Sequence, residues 1–273
     1  KDPVRLCRKD LEVSWSSALL RQWLGAFLSA EGRHAEATAE YRLAALLSPS
    51  SANIRILLAR SYLAAGDLAK ARQAYERAVS LDPRNPALLA SAAGIAREAG
   101  DSERAEELLR EALTLGPNLP AVHVQAGVWH LARSRFEDAR DSFRKAVALD
   151  PADADAWWGL GAALWNPGER EAAVAALERS ARLDAAGGER FAQVARCCQA
   201  LGRHQDAVRW FRRALRVKPG DRDILNDMAV SLAELGRREE AVAVWRGILL
   251  EDPSYGPALN NLRATLSPAR RSR

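Results

Sequence analysis

The stretch GDLAKARQAYERAVSLDP, Gly66 to Pro83, decides the fold. A glycine opens it, Ala71 follows five residues on, Tyr75 four beyond that, and Leu81-Asp82-Pro83 closes it. Between the glycine and the proline the apolar residues recur at helical spacing. Glycine supplies the positive φ that a tight helix–helix turn needs. Proline has no N–H to give and stops the helix.

The same figure returns every 34 residues. Pro49, Pro83, Pro117 and Pro151 keep that spacing, Pro219 and Pro253 hold the frame, and Ala185 stands where one proline is missed. Turn glycines fall at Gly32, Gly66, Gly100, Gly168, Gly202 and Gly236, with Ser134 as the exception. Alanine occupies the next marked place every time: Ala37, Ala71, Ala105, Ala139, Ala173, Ala207 and Ala241. Four residues later comes a large apolar side chain: Tyr41, Tyr75, Leu109, Phe143, Leu177, Phe211 and Trp245. Each frame holds two amphipathic stretches, in 52–85 the segments Asn53–Ala65 and Leu68–Leu81. Small residues such as Gly161, Ala173 and Ser180 let the two helices approach closely. One such hairpin cannot bury its apolar face alone, so neighbours stack into a solenoid.

This pattern resembles the tetratricopeptide repeat (TPR) family. Trp157, Leu160, Gly161, Leu164 and Gly168 carry the first half of its motif, and Ala71, Tyr75, Ala78 and Pro83 the second. Seven frames run 18–51, 52–85, 86–119, 120–153, 154–187, 188–221 and 222–255. The resemblance implies an all-α, right-handed superhelical solenoid of antiparallel helix pairs, with a groove lined by the first helices. Residues 1–17 form a lead-in segment, Gly256–Leu266 a capping helix with Leu259 and Leu262 on its apolar face, and 267–273 a basic flexible tail.

Composition excludes several classes. Of the 273 residues, 48% are hydrophobic and 27% charged, the balance of a folded protein rather than a disordered one. No apolar run reaches the roughly 18–20 residues of a membrane span. Three cysteines cannot form the disulfide framework of a small secreted protein, and unpaired thiols favour the cytoplasm over an oxidising compartment. The chain starts at Lys1 rather than methionine, which suggests a fragment or processed form. Alanine and arginine usage points to a GC-rich bacterial source.

Catalytic and cofactor chemistry has no foothold in the pattern. Neither phosphate-loop motif occurs in a strand–helix context, and Gly159-Leu160-Gly161 falls inside a helix. His123 and His130 are seven residues apart, about 10.5 Å along a helix and too far for one metal ion without outside ligands; they read as core substitutions, with a pH-sensitive patch beside Trp129 as the alternative. His34 and His204 follow turn glycines and read as exposed. Cys198 takes a core position, and adjacent Cys197 cannot readily pair with it. Carboxylates such as Glu103 and Glu107 read as solvated i,i+4 faces. The expectation is a non-enzyme with no metal and no cofactor.

The candidate ligand groove comprises Arg60, Arg97, Gln125, Trp158, Trp165, Gln193, Arg196 and Asn226. Trp158 and Trp165 are seven apart on one helix face, and Trp157 already fills the family's aromatic place, so the pair is free to anchor an apolar or peptide ligand. Against this stands packing of both rings on neighbouring helices. Arg60, Arg97 and Arg196 offer bidentate carboxylate binding unless Glu98, Glu189 or Asp223 neutralises them. The family's carboxylate clamp needs asparagine after the small residue of the first helix, where Ala26, Arg60, Gly94, Val128, Ala162, Arg196 and Val230 stand here. Its asparagine ladder is replaced by Trp23, Leu57, Ser91, Gln125, Gly159, Gln193, Asp227 and Asn261. Asn166-Pro167-Gly168 and Asp184-Ala185-Ala186-Gly187-Gly188 predict a looser stack between the fifth and sixth repeats.

The leading functional reading is a scaffold that binds a peptide or protein segment in its groove. An accessory domain of a larger enzyme or of an assembly or secretion machine (glycosyltransferase- or sulfatase-linked, for example) and a self-associating scaffold are the alternatives. The net charge of +5 and pI near 9.4 first suggest nucleic acid. Arg263, Arg270, Arg271 and Arg273 near the end, with no acid after Asp252, supply most of that charge, so no nucleic-acid partner is expected.

Overall fold

The structure, a computed structural model, describes residues 2–166, 168–184 and 187–266. The tail at 267–273 and the residues Pro167, Ala185 and Ala186 lie outside that range, so the expectations that rest on them stay as stated. Among the described residues the chain forms sixteen α-helices and no strand. They gather into two units. The first, through Asp150, contains α1 (Pro3–Val13), α2 (Ala18–Ala30), α3 (His34–Leu47), α4 (Ala52–Ala64), α5 (Leu68–Leu81), α6 (Pro86–Glu98), α7 (Ser102–Leu115), α8 (Pro120–Ala132) and α9 (Phe136–Leu149). The second, from Pro151, contains α10 (Ala154–Leu164), α11 (Arg170–Leu183), α12 (Gly188–Ala200), α13 (His204–Val217), α14 (Arg222–Glu234), α15 (Arg238–Glu251) and α16 (Gly256–Leu266).

Local chemistry sets these boundaries. Ser17, Ser51, Asn85, Asp153 and Asp221 cap the first helices of their pairs, each accepting from free N–H groups of the first turn. Gly32, Gly66, Gly100, Gly202 and Gly236 turn the chain with φ between +73° and +82°. Ser134 makes the same turn with φ of +57°, a left-handed conformation that disfavours any side chain. The frame position, not the residue type, fixes the backbone there.

Within each pair the marked residues interlock. Ala37, Ala71, Ala105, Ala139, Ala173, Ala207 and Ala241 are fully buried, as are Tyr75, Phe143, Phe211 and Trp245. These second-helix side chains fill space left by small residues opposite. A Cβ on Gly127 would sit 2.6 Å from Phe143 Cε2, and one on Gly161 would sit 2.5 Å from Leu177 Cγ and 3.2 Å from the Ala173 carbonyl oxygen. Ser180 Oγ donates to the Ala154 carbonyl at 2.7 Å, tying α11 to α10. Neighbouring first helices also touch, α4 on α6 and α6 on α8, which produces one continuous first-helix face in the first unit.

Two features go beyond the repeat pattern. The lead-in segment contains α1, capped by Asp2 and packed on α2 through buried Val4 and Cys7. At the other end α16 lies against α15, with Ala258 buried and Leu262 on the core of the second unit. Beside the junction at 184–188, Arg190 braces the described residues. It donates to Ser180 Oγ at 2.8 Å and pairs with Asp155 and Asp184.

Candidate functional site

The first-helix face of the first unit carries a hollow of about 540 Å³. Arg60 and Leu63 of α4, Leu68 of α5, Ser91, Gly94 and Glu98 of α6, and Gln125 of α8 surround it. Gly94 makes room for the Gln125 amide, because a Cβ there would lie 2.7 Å from Gln125 Oε1. A second hollow of about 290 Å³ lies between α2 and α4, lined by Ala26, Ala30, Leu57 and again Arg60. Arg60 thus stands between two recesses. Its guanidinium is exposed and makes no hydrogen bond or ion pair with any described residue. An unpaired guanidinium flanked by Leu57, Leu63 and Leu68 can take a carboxylate bidentately while apolar side chains settle on either side.

Three large apolar residues extend this face. Leu19, Trp23 and Phe27 of α2 are 54%, 50% and 38% exposed and four residues apart, so they form one stripe. Helical geometry places Ala26 and Ala30 beside that stripe. Only Trp23 was marked by its place in the frame; the signal that identifies all three is an aromatic-rich i,i+4,i+8 run beyond what the consensus core requires.

The remaining sequence-selected residues are otherwise engaged. Arg97 donates to Glu98 Oε1 at 2.9 Å, while its buried Nε has no partner. In the second unit Arg196 is tied to Asp227 at 2.9 Å and to Glu189 at 3.3 Å. Of the three groove arginines, only Arg60 is left uncommitted. Gln193 donates weakly to Cys197 Sγ at 4.0 Å. Asn226 is buried, not displayed, and its Oδ1 accepts from Trp245 Nε1 at 3.2 Å and from Asn261 Nδ2 at 3.0 Å.

The tryptophan pair departs from expectation. Helix α10 stops at Leu164, leaving Trp165 as its C-cap with ψ of 64°, so the two rings do not share one helix. The residue before a proline is steered away from the α region, and the proline itself has no N–H to continue the ladder. The Asn166-Pro167 sequence therefore accounts for the early stop. Both rings are half-buried against the core of their unit, Trp158 beneath Arg190 and Trp165 beneath Arg170. Packing on neighbours thus covers part of each ring and leaves the rest exposed.

The histidines and cysteines divide by burial. His123 is buried with Nε2 donating to the Pro117 carbonyl at 2.7 Å. His130 is half-buried, and desolvation holds it below the ordinary imidazole value despite Asp138 at 4.0 Å. His34 is exposed, whereas His204 is half-buried with an unpartnered Nδ1. Cys7, Cys197 and Cys198 are buried free thiols, and burial pushes Cys198 up to about 12. Among the described residues no group of three or more His, Cys, Asp or Glu could hold a metal ion, and no helix is long and apolar enough to cross a membrane.

Comparison with known proteins bears on the fold. A chain of the human IFIT1 dimer with PPP-AAAA superposes with a TM-score of 0.73 at 17% identity, over 96% of this chain and 67% of that one. A chain of the APC/C hetero-tetramer Cut9–Hcn1 gives 0.64 at 16% identity over 96% of this chain, which spans only 52% of its length. YrrB, a TPR protein with an unusual peptide-binding site, gives 0.59 at 22% identity over 70% of this chain and 98% of its own. No curated protein matches the chain in sequence. Tetratricopeptide-repeat family models match residues 56–120, 154–186 and 199–266, and a TPR-repeat model matches residues 130–168. With the 34-residue register and the paired helices, these matches establish that the chain belongs to the tetratricopeptide repeat family.

Proposed function

We propose that the chain is a non-catalytic protein-interaction scaffold and that the first-helix face of its first unit takes a peptide segment of a partner. One observation carries this reading: Arg60 is an unpaired guanidinium set between two hollows of mixed lining, where Leu57, Leu63, Leu68 and Ala26 stand beside Ser91, Gln125 and a Glu98 already bound by Arg97. A segment with a large apolar side chain close to a carboxylate, from Asp, Glu or a chain terminus, matches that lining. Gln125 and Ser91 offer donors and acceptors to the segment's backbone, and Trp23 and Phe27 extend the apolar footing. The peptide-binding site named for YrrB, a protein of the same fold, supports the reading without locating it here.

Panning a random peptide library on immobilised protein tests the proposal. Recovered sequences are expected to share an apolar residue next to an acidic one and to be lost from Trp23→Ala/Arg60→Ala protein. Recovery that is unchanged in that variant, or that depends instead on Trp158 and Trp165, overturns it.

A further inference from the structure

The second unit carries a strongly basic cleft on its second-helix face, far from neutral although the chain as a whole has little excess charge before its C-terminal residues. The cleft measures about 670 Å³. Its walls are Arg182 and Glu178 of α11 and, on or beside α13, Arg203, Asp206, Arg209, Arg212, Arg213 and Arg216, with Trp210 among them. Six arginines face two carboxylates.

Those two carboxylates are already committed. Asp206 accepts from Arg203 at 2.8 Å and also pairs with Arg209, and Glu178 pairs with Arg182 at 2.9 Å and accepts from Trp210 Nε1 at 3.3 Å. They hold Arg203, Arg209 and Arg182 in place. Arg212, Arg213 and Arg216 make no ion pair with any described residue. The carboxylate whose charge Arg212 helps to stabilise, Glu240, is itself bound by Arg237 at 2.7 Å. Arg209, Arg212, Arg213 and Arg216 combine three-residue steps (209 to 212, 213 to 216) with four-residue ones (209 to 213, 212 to 216), a basic stripe about 10.5 Å long on one side of α13.

We infer that this cleft docks an acidic peptide segment of a partner protein, one that presents Asp or Glu side chains three and four residues apart. Such a segment matches the stripe in both sign and repeat, and planar guanidinium groups bind carboxylates bidentately. A nucleic-acid strand fits less well because it needs an open aromatic face on which a base can stack. Trp210 is only 7% exposed, stacks on Phe191 at 5.8 Å, and is covered by Arg213 at 4.6 Å. The cleft shares no residue with the hollows around Arg60, so either proposal can fail without the other.

Fluorescence anisotropy on the full chain tests the inference. The probes are a labelled peptide of alanine and glutamate with the glutamates at three- and four-residue spacing, its glutamine counterpart, and a labelled oligothymidine of equal charge. The glutamate peptide is expected to bind at low salt and to weaken as salt rises. Arg212→Gln/Arg213→Gln/Arg216→Gln is expected to reduce its affinity about tenfold or more, whereas Arg77→Gln/Arg84→Gln/Lys145→Gln, which removes the same charge from exposed positions elsewhere, is expected to change it less than about twofold. Far-UV circular dichroism establishes that both variants remain folded. Equal losses in the two variants, equal binding of the glutamine peptide, or tighter binding of the oligothymidine would each overturn the inference.

Discussion

Replacing Gly127 with alanine tests how the helix pairs are held together. Gly127 on α8 faces the Phe143 ring of α9, which is 1% exposed. A Cβ would fall 2.6, 2.7 and 2.8 Å from three ring carbons, where carbon atoms settle at about 3.5–4.0 Å. The ring must retreat by roughly 1 Å in a core with no solvent side. Overpacking of this kind costs about 1–3 kcal/mol, and a stiff aromatic ring places it toward the upper end. Alanine returns about 1 kcal/mol through its better helix propensity. The net expectation for Gly127→Ala is a loss of about 1–2 kcal/mol. Gly247 on α15 supplies the control, because a Cβ there meets nothing within 4 Å. Gly247→Ala is expected to gain about 1 kcal/mol. Urea unfolding followed by far-UV circular dichroism, with the midpoints of both variants set beside that of the parent chain, reads the difference. If Gly127→Ala proves as stable as the parent, or if both substitutions shift the midpoint alike, close approach at the small positions does not hold the pairs together.

Two further outcomes follow from local structure. Ser134 holds φ of +57° in a turn that glycine makes elsewhere, so Ser134→Gly is expected to stabilise the chain by about 0.5–1 kcal/mol after the added freedom of the unfolded state is counted; a lower urea midpoint would contradict this. His130 has a folded-state pKa below its ordinary value of about 6.5, with desolvation as the main cause. The unfolded chain therefore takes up a proton first as pH falls, and the stability contributed above pH 6.5 drains away between that value and the lower folded one. The urea midpoint should drop between pH 7.5 and 5.5, and His130→Gln should remove part of the drop; an identical drop in the variant would exclude His130 as its source.

The repeat was legible because its marked residues do one job in every frame. Alanine at 37, 71 and onward is fully buried where the helices of a pair approach closely, and the large residue four places later fills the pair's core. Even Ser134, wrong in residue type for its turn, was placed correctly by the frame. The ligand face was less legible, since frame position says which way a residue points but not what reaches it. Arg97 and Arg196 found carboxylates, and Asn226 was claimed by Trp245 and Asn261. Trp165 left the helix because a proline two residues on shortened α10. The arginine stripe of α13 escaped notice because a net charge averages over the chain, whereas a cleft gathers charge from neighbouring helices.

Arg60 is the residue proposed to receive the acidic group of a partner segment. The most direct measurement is the affinity of a peptide selected on the parent protein, determined by fluorescence anisotropy for the parent, Arg60→Ala, Arg97→Ala and Trp158→Ala/Trp165→Ala. A charge-assisted hydrogen-bonded pair is worth about 1.5–3 kcal/mol, so Arg60→Ala is expected to weaken binding by about tenfold or more, with the other variants close to the parent. Unchanged affinity in Arg60→Ala, together with loss in the tryptophan double variant, would show that Arg60 does not hold the segment and would move the site to the second unit.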